Sequence, residues 1–383
     1  MTSIGDAGTS GMVDWNLAVA TATRLVRPGP EVGRDEARRV VAELREHAKA
    51  AEEHVRAYTR MFPEGRDPGD YADTPVLVVD RAGWVKANVA GFRELLTPLL
   101  DKMRERRSTT PGGAVLSAVG GKVTGVELGM LLSFLASRIL GQYETFAPAT
   151  RDLPAAAGGG GRLLLVAPNI VHVERELEVD PRDFRLWVCL HEETHRTQFT
   201  AVPWLRDHLQ GEIQAFLAAT DVDPATVVER LREAAQVLAG GNRPEGEQGE
   251  PGPTLVELVQ TPEQREILGR LTAVMSLLEG HADFVMDGVG PDVVPSVAEI
   301  REKFQQRRAR GASRLDLALR KLLGLDAKLR QYRDGERFVR AVVDQVGMDG
   351  FNRVWTSPNT LPTKSEIARP ADWVTRVHRK ADS

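Results

Sequence analysis

The stretch LWVCLHEETHRTQF, Leu186 to Phe199, constrains the fold more than any other. Just before it, Asp180 suits a helix N-cap, and Pro181 suits the first helical position, where a missing N–H costs nothing. Asp183 then complements the positive end of the helix dipole. From that start Phe184, Trp187, Val188, His191 and His195 fall at helical spacing and form one stripe. The two histidines therefore share the core-facing side of the helix with three large apolar residues. A chain patterned this way must build its interior around an imidazole pair.

The rest of the chain supplies room for such an interior. It has 383 residues, 42% hydrophobic and 27% charged, enough for one large domain or two small ones. Helical periodicity dominates, and strand signals are few and short. Arg34 to Phe62 reads as a long amphipathic helix, followed by a short strand or buried run at Pro75 to Asp80. Helices follow near Trp84 to Arg106 and from about Ala114 to Tyr143. The flexible link PAAAGGGGR then leads into LLLVAPNIVHV, the best strand candidate. We expect a mainly α fold with a small β-sheet (α+β), spanning 14–376 as one unit. Its helical N-terminal half covers about 14–150 and its histidine-bearing half about 162–376, with a cleft between them. Residues 1–13 and 377–383 read as flexible tails. The segment 240–253 is too rich in Gly, Pro and Glu to pack and reads as a disordered surface loop. No internal repeat is present.

Composition also narrows the partners. The formal net charge is −4 and basic residues are interleaved with acidic ones, so nucleic acid is not expected. The single cysteine, Cys189, cannot form an intrachain disulfide and reads as packing. The start has neither a basic nor an apolar leader region, which points to a cytoplasmic protein. The most apolar helix candidate, VTGVELGMLLSFLASRIL, carries Glu127 and Arg138 and reads as a buried helix, not a membrane span.

Histidines at i and i+4 on one face can bring two imidazole nitrogens to one metal, and Glu192, next to the first, can reach a water in an open coordination position. That is the H-E-x-x-H arrangement of zinc hydrolases. The competing reading is two satisfied histidines on a buried helix face. A catalytic zinc site needs a third protein ligand. The metzincin continuation would place glycine and histidine where Gln198 and Ala201 stand, so that class is excluded. His208 lies beyond Pro203 at a spacing no rule favours. Downstream, Thr261, Pro262 and Gln264 form a capping-box signature opening a helix to about Asp287. Within it Glu279 can ligate a metal while Asp283, one turn on, orients a ligating histidine. His281 competes with Glu279. Residues two apart on a helix point about 200° from each other, so both cannot face one metal, and we expect Glu279 to be the ligand. Gly280 would let two helices, or a substrate, approach closely.

The stretches LWVCLHEETHRTQF, LLEGHADFVMDGVGPDVVPSVAEIREKF, KLLGLDAKLRQYRDGERFVRAV and VWTSPNTLPTKSEI resemble the zincin-like metallopeptidase family of actinobacteria and relatives. Its members are mostly uncharacterised hydrolases, some labelled as associated with biosynthesis of a deazaflavin coenzyme. The resemblance runs from Asp14 to Ile367. More distantly, H-E-x-x-H followed by E-x-x-x-D on a later helix is similar to the gluzincin peptidases, with roles falling on His191, Glu192, His195, Glu279 and Asp283. The resemblance implies a zinc cofactor, a peptide or amide substrate, and Glu192 as general base. It also implies an oxyanion donor, for which Tyr332 is the candidate, with Arg330 and His281 behind it. Gluzincins hold extended peptides on a strand edge upstream of the metal helix, and Leu163 to Ile170 occupies that place; the competing reading is a buried core strand. Two other functions stay open: a metal-dependent hydrolase of non-peptide substrates, and a metal-stabilised binding protein without turnover.

Overall fold

The computed structural model describes residues 13–62, 76–108, 113–146, 161–219, 261–310 and 325–379. Its elements, in order, are α1 (Trp15–Leu25), α2 (Arg34–Thr59), β1 (Val76–Val79), α3 (Arg81–Ser108), α4 (Gly113–Ala136), β2 (Gly141–Glu144), β3 (Arg162–Val166), α5 (Ala167–Leu177), α6 (Pro181–Ala201), α7 (Leu205–Ala218), α8 (Pro262–Gly288), α9 (Val297–Arg310), α10 (Leu325–Phe351), two short 3-10 turns, α11 (Lys364–Ala368) and α12 (Pro370–Arg379). The chain is thus mostly helical with one small sheet. The segment 240–253 expected to be disordered lies outside the described residues.

β3 is the centre of the sheet, parallel to β1 and antiparallel to β2. It is buried along its whole length. Leu163 and Leu165 face a core shared with α2, α6 and α8, while Leu164 and Val166 face a second core shared with α1, α3 and α4. An uninterrupted apolar run fits this place because helices cover both faces. Leu163 to Ile170 is therefore no substrate-holding edge. The strand ends at Val166, and Pro168 sits in the first turn of α5, where proline is tolerated. The edge beside the histidine helix is β2. The helix expected to run through Tyr143 stops at Ala136, and Gly141 to Glu144 pair with β3 instead.

Local signals explain the two helices that matter most. Asp180 caps α6 by accepting from Asp183 N at 3.0 Å, and Thr261 with Gln264 forms the full capping box of α8. α8 and α10 cross at glycines. A Cβ on Gly280 would overlap the backbone of Gly335 and Glu336, and one on Gly335 would overlap Ser276 O. Gly280 thus serves the approach of two helices. Among the described residues no helix is long and apolar enough to cross a membrane.

Candidate metal centre

α6 and α8 pack so that His191, His195 and Glu279 each bring one ligand atom within 4.8 Å of the others. The two imidazole Nε2 atoms are 3.3 Å apart. Glu279 Oε2 is 3.7 Å from His191 Nε2, and Oε1 is 3.9 Å from His195 Nε2. Helical spacing puts the histidines one turn apart on the same face, and their rings meet edge to face.

The surrounding hydrogen bonds fix where the imidazole protons sit. Gln198, fully buried, donates from Nε2 to the Leu278 carbonyl at 2.9 Å. A carbonyl only accepts, so the amide orientation is determined. Gln198 Oε1 therefore accepts from His195 Nδ1 at 3.0 Å, which leaves His195 Nε2 with its lone pair. His191 Nδ1 lies 3.6 Å from Asp283 Oδ1, a partner that favours the same tautomer. Two lone pairs aimed at one another repel unless a cation lies between them. The separation of about 3.3 Å is also what two nitrogens show on one tetrahedral zinc at bond lengths of about 2.0–2.1 Å. The residues present fit a divalent metal such as zinc.

Glu192 follows His191 and is 6% exposed. Its carboxyl is pushed well above the usual range, first by burial and then by the charge of Glu279. A bound cation acts against that shift. Glu192 has space only because β2 begins with glycine. A Cβ on Gly141 would lie 2.5 Å from Glu192 Cγ and 2.7 Å from Cδ.

The other sequence candidates fall elsewhere. His281 is fully buried and is not one of the three clustered ligands. Its Nδ1 accepts from Gln198 Nε2 at 3.0 Å, and its ring packs on Phe351 and Trp355. Burial, then the neighbouring His195, pulls its pKa down to about 3, so it is a neutral packing residue at ordinary pH, and it is not among the residues that line the cleft beside the cluster. His208 meets Trp204 edge to face and takes no part in the cluster. Cys189 is buried against Leu44. The side chains of Arg330 and Tyr332 lie outside the described residues. Sequence reasoning missed Gln198 and Gly141. Gln198 had a usable signal, since it lies three residues after His195 and seven after His191 on one helix face.

The cluster opens into a cleft of ≈ 1280 Å³ lined along one side by β2 and along the other by α8. Val166 N donates to Leu140 O at 2.8 Å, one step beyond the Gly141–Leu165 pair with which the antiparallel register begins. Alternation then turns the backbone N–H and C=O groups of Gly141 and Tyr143 away from β3, toward an edge that no strand covers among the described residues.

The family model for Zincin-like metallopeptidase matches residues 13–374. A crystal structure from Chloroflexus aurantiacus, described as "a putative hydrolase with a novel fold", is 31% identical, with a TM-score of 0.66 over 96% of this chain and 99% of that one. A search of the curated proteins finds no match.

Proposed function

Because the chain belongs to the zincin-like metallopeptidase family, we propose that it is a zinc-dependent peptidase, or a related amide hydrolase, with His191, His195 and Glu279 as ligands and Glu192 as general base. The family supports a metal-dependent hydrolase in general. The finer reading is carried by the convergence of three ligand atoms within 4.8 Å beside the buried carboxyl of Glu192, which is not one of the three. Zinc held there supplies a Lewis acid that polarises a carbonyl and makes water more acidic. Glu192 takes a proton from the attacking water and passes it to the departing amine nitrogen. Asp283 and Gln198 hold the two imidazoles from behind, so that both Nε2 lone pairs stay aimed at one point. The outward backbone groups of Gly141 and Tyr143 receive an extended substrate as an added strand.

The test is Glu192→Gln. Hydrolysis of a peptide library should fall at least about 10²-fold, in line with the loss of a positioned general base, while bound zinc and melting temperature stay near wild type. Activity close to wild type at full zinc occupancy would overturn the assignment of Glu192.

A further inference from the structure

The cleft differs at its two ends. Gly141 touches Glu192 and Tyr143 stacks on Phe199, ring centroids 5.7 Å apart, so β2 runs alongside α6 in the same direction. Near Tyr143 the walls are Phe199, Leu209, Ile213, Leu271 and Met275. At the other end stand Arg27, Arg81, Arg138 and Arg307.

One network gathers the first three of these arginines. Arg81 donates from Nη1 to the carbonyls of Arg27 at 2.8 Å and Pro28 at 2.9 Å, and from Nε to Asn169 Oδ1 at 2.6 Å. Asn169 Nδ2 donates in turn to the carbonyls of Ala136 at 2.8 Å and Ile139 at 2.6 Å, which flank Arg138. The Arg138 guanidinium lies over the Phe134 ring, 3.6 Å from its centre. Arg307 donates to Glu176 at 2.8 Å. Arg81 is the unusual member. It is 8% exposed, its hydrogen bonds go to neutral oxygens, and among the described residues no carboxylate pairs with it. Burial pulls its pKa down. A buried charge without a counter-ion is costly, and this one lines the cleft.

We propose that this end of the cleft is a subsite for a carboxylate of the substrate, on the side of the departing amine. The proposal rests on the peptidase reading above. A chain added to the β2 edge in the commoner antiparallel sense runs opposite to β2. Its C-terminal part then points toward Leu140 and the arginines, and its N-terminal part toward Phe199. The substrate class is a peptide with an apolar residue before the cleaved bond and a carboxylate after it, borne by an acidic side chain or by a free C-terminus. Guanidinium groups suit this task because their planar donors match carboxylate geometry.

The probe is acetyl-Ala-Leu-Phe-Ala-Ala as free acid and as amide, with amide forms carrying Asp, Asn or Lys as the last residue. Zinc-loaded wild type is assayed for cleavage, and zinc-loaded Glu192→Gln protein for calorimetric binding. Carboxylate-bearing peptides should be handled about tenfold better than neutral ones, mainly through KM, with the lysine peptide poorest. The free acid and the aspartate form separate the two sources of the carboxylate. Arg138→Glu and Arg27→Glu should each cut the preference at least about threefold without changing zinc affinity. Equal handling of acid, amide and lysine peptides, or a preference untouched by both reversals, overturns the subsite. Discrimination in binding without any cleavage by wild type would sink the peptidase reading and keep the subsite. Cleavage without discrimination would sink the subsite alone, and neither binding nor cleavage would sink both.

Discussion

Gln198 decides two proton positions with one amide: its oxygen takes the His195 Nδ1 proton, and its nitrogen meets His281 Nδ1 and the Leu278 carbonyl. It thereby ties the histidine helix to the helix that carries Glu279. Gln198→Leu keeps the volume roughly but removes all three bonds. It should weaken zinc binding about 10–100-fold, the usual cost of losing a group behind a ligand, measured by competition with a chromophoric chelator. An affinity within about twofold of wild type would show that the amide has no part in positioning. At this scale the sequence was legible where side-chain type and helix spacing carry the information. His191, Glu192 and His195 announce themselves by chemistry, and the roughly 200° between positions two apart is the ground for preferring Glu279 to His281; it is the Glu279 carboxylate that lies within reach of both imidazoles. Gln198 shared the spacing, but an amide carries no ligand signal and its partners lie on another helix. Gly141 was illegible for a different reason. Its contact with Glu192 depends on a strand register that no local pattern states.

Elements follow the same division between local and distant causes. The caps of α6 and α8 are made within four residues of the helix start, so Asp180, Thr261 and Gln264 could be read directly. β2 could not. Gly141 after Leu140 is one more glycine in a segment that already holds several, and only pairing with β3 turns Gly141 to Glu144 into a strand. α5 was hidden because LLLVAPNIVHV reads as one strand candidate, and the place of Pro168 in a first helical turn is seen only in the structure. The crossing of α8 and α10 sits between these cases, since Gly280 suggested a close approach but not its partner. Gly335→Ala tests that crossing. The new methyl would lie against Ser276 O and 2.8 Å from Ser276 C, a backbone that cannot yield by changing a rotamer. Overpacking of this kind costs about 1–3 kcal/mol, so thermal unfolding should shift down by about 1–4 °C in a chain of this size. An unchanged melting temperature would mean that the two helices separate freely, and the glycine pair would then have no structural role.

Over the whole molecule, the cleft is held open by elements distant in sequence, and buried charges lock them. α2 packs on α6, and four of their side chains form one ionic cluster on the face of α6 away from the cleft. Arg196 meets Glu52 at 2.5 Å and Glu193 at 2.9 Å, and Glu52 also meets Arg56 at 2.6 Å. All four are nearly inaccessible to solvent. Burial pushes the Glu193 carboxyl up to about 8, with Arg196 opposing the shift. The sequence showed Glu193 and Arg196 only as polar residues on a helix otherwise assigned to the core, because their partners come from α2. Such a cluster need not stabilise relative to an apolar one, since desolvating each ion can exceed the mutual attraction. Its members nonetheless depend on one another. Glu52→Ala would remove the carboxylate that both Arg196 and Arg56 contact in the interior, and should cost about 3–5 kcal/mol, the penalty of a broken buried pair. Glu52→Met combined with Arg196→Met removes both sides of the main contact and should be less destabilising than either single change. Urea unfolding of Glu52→Ala, Glu52→Met, Arg196→Met and the double variant measures both quantities. If the double variant loses the sum of the single losses, the cluster is not coupled, and the register of α2 on α6 must be set by Leu44, Ala48 and Val55 packing against α6 alone.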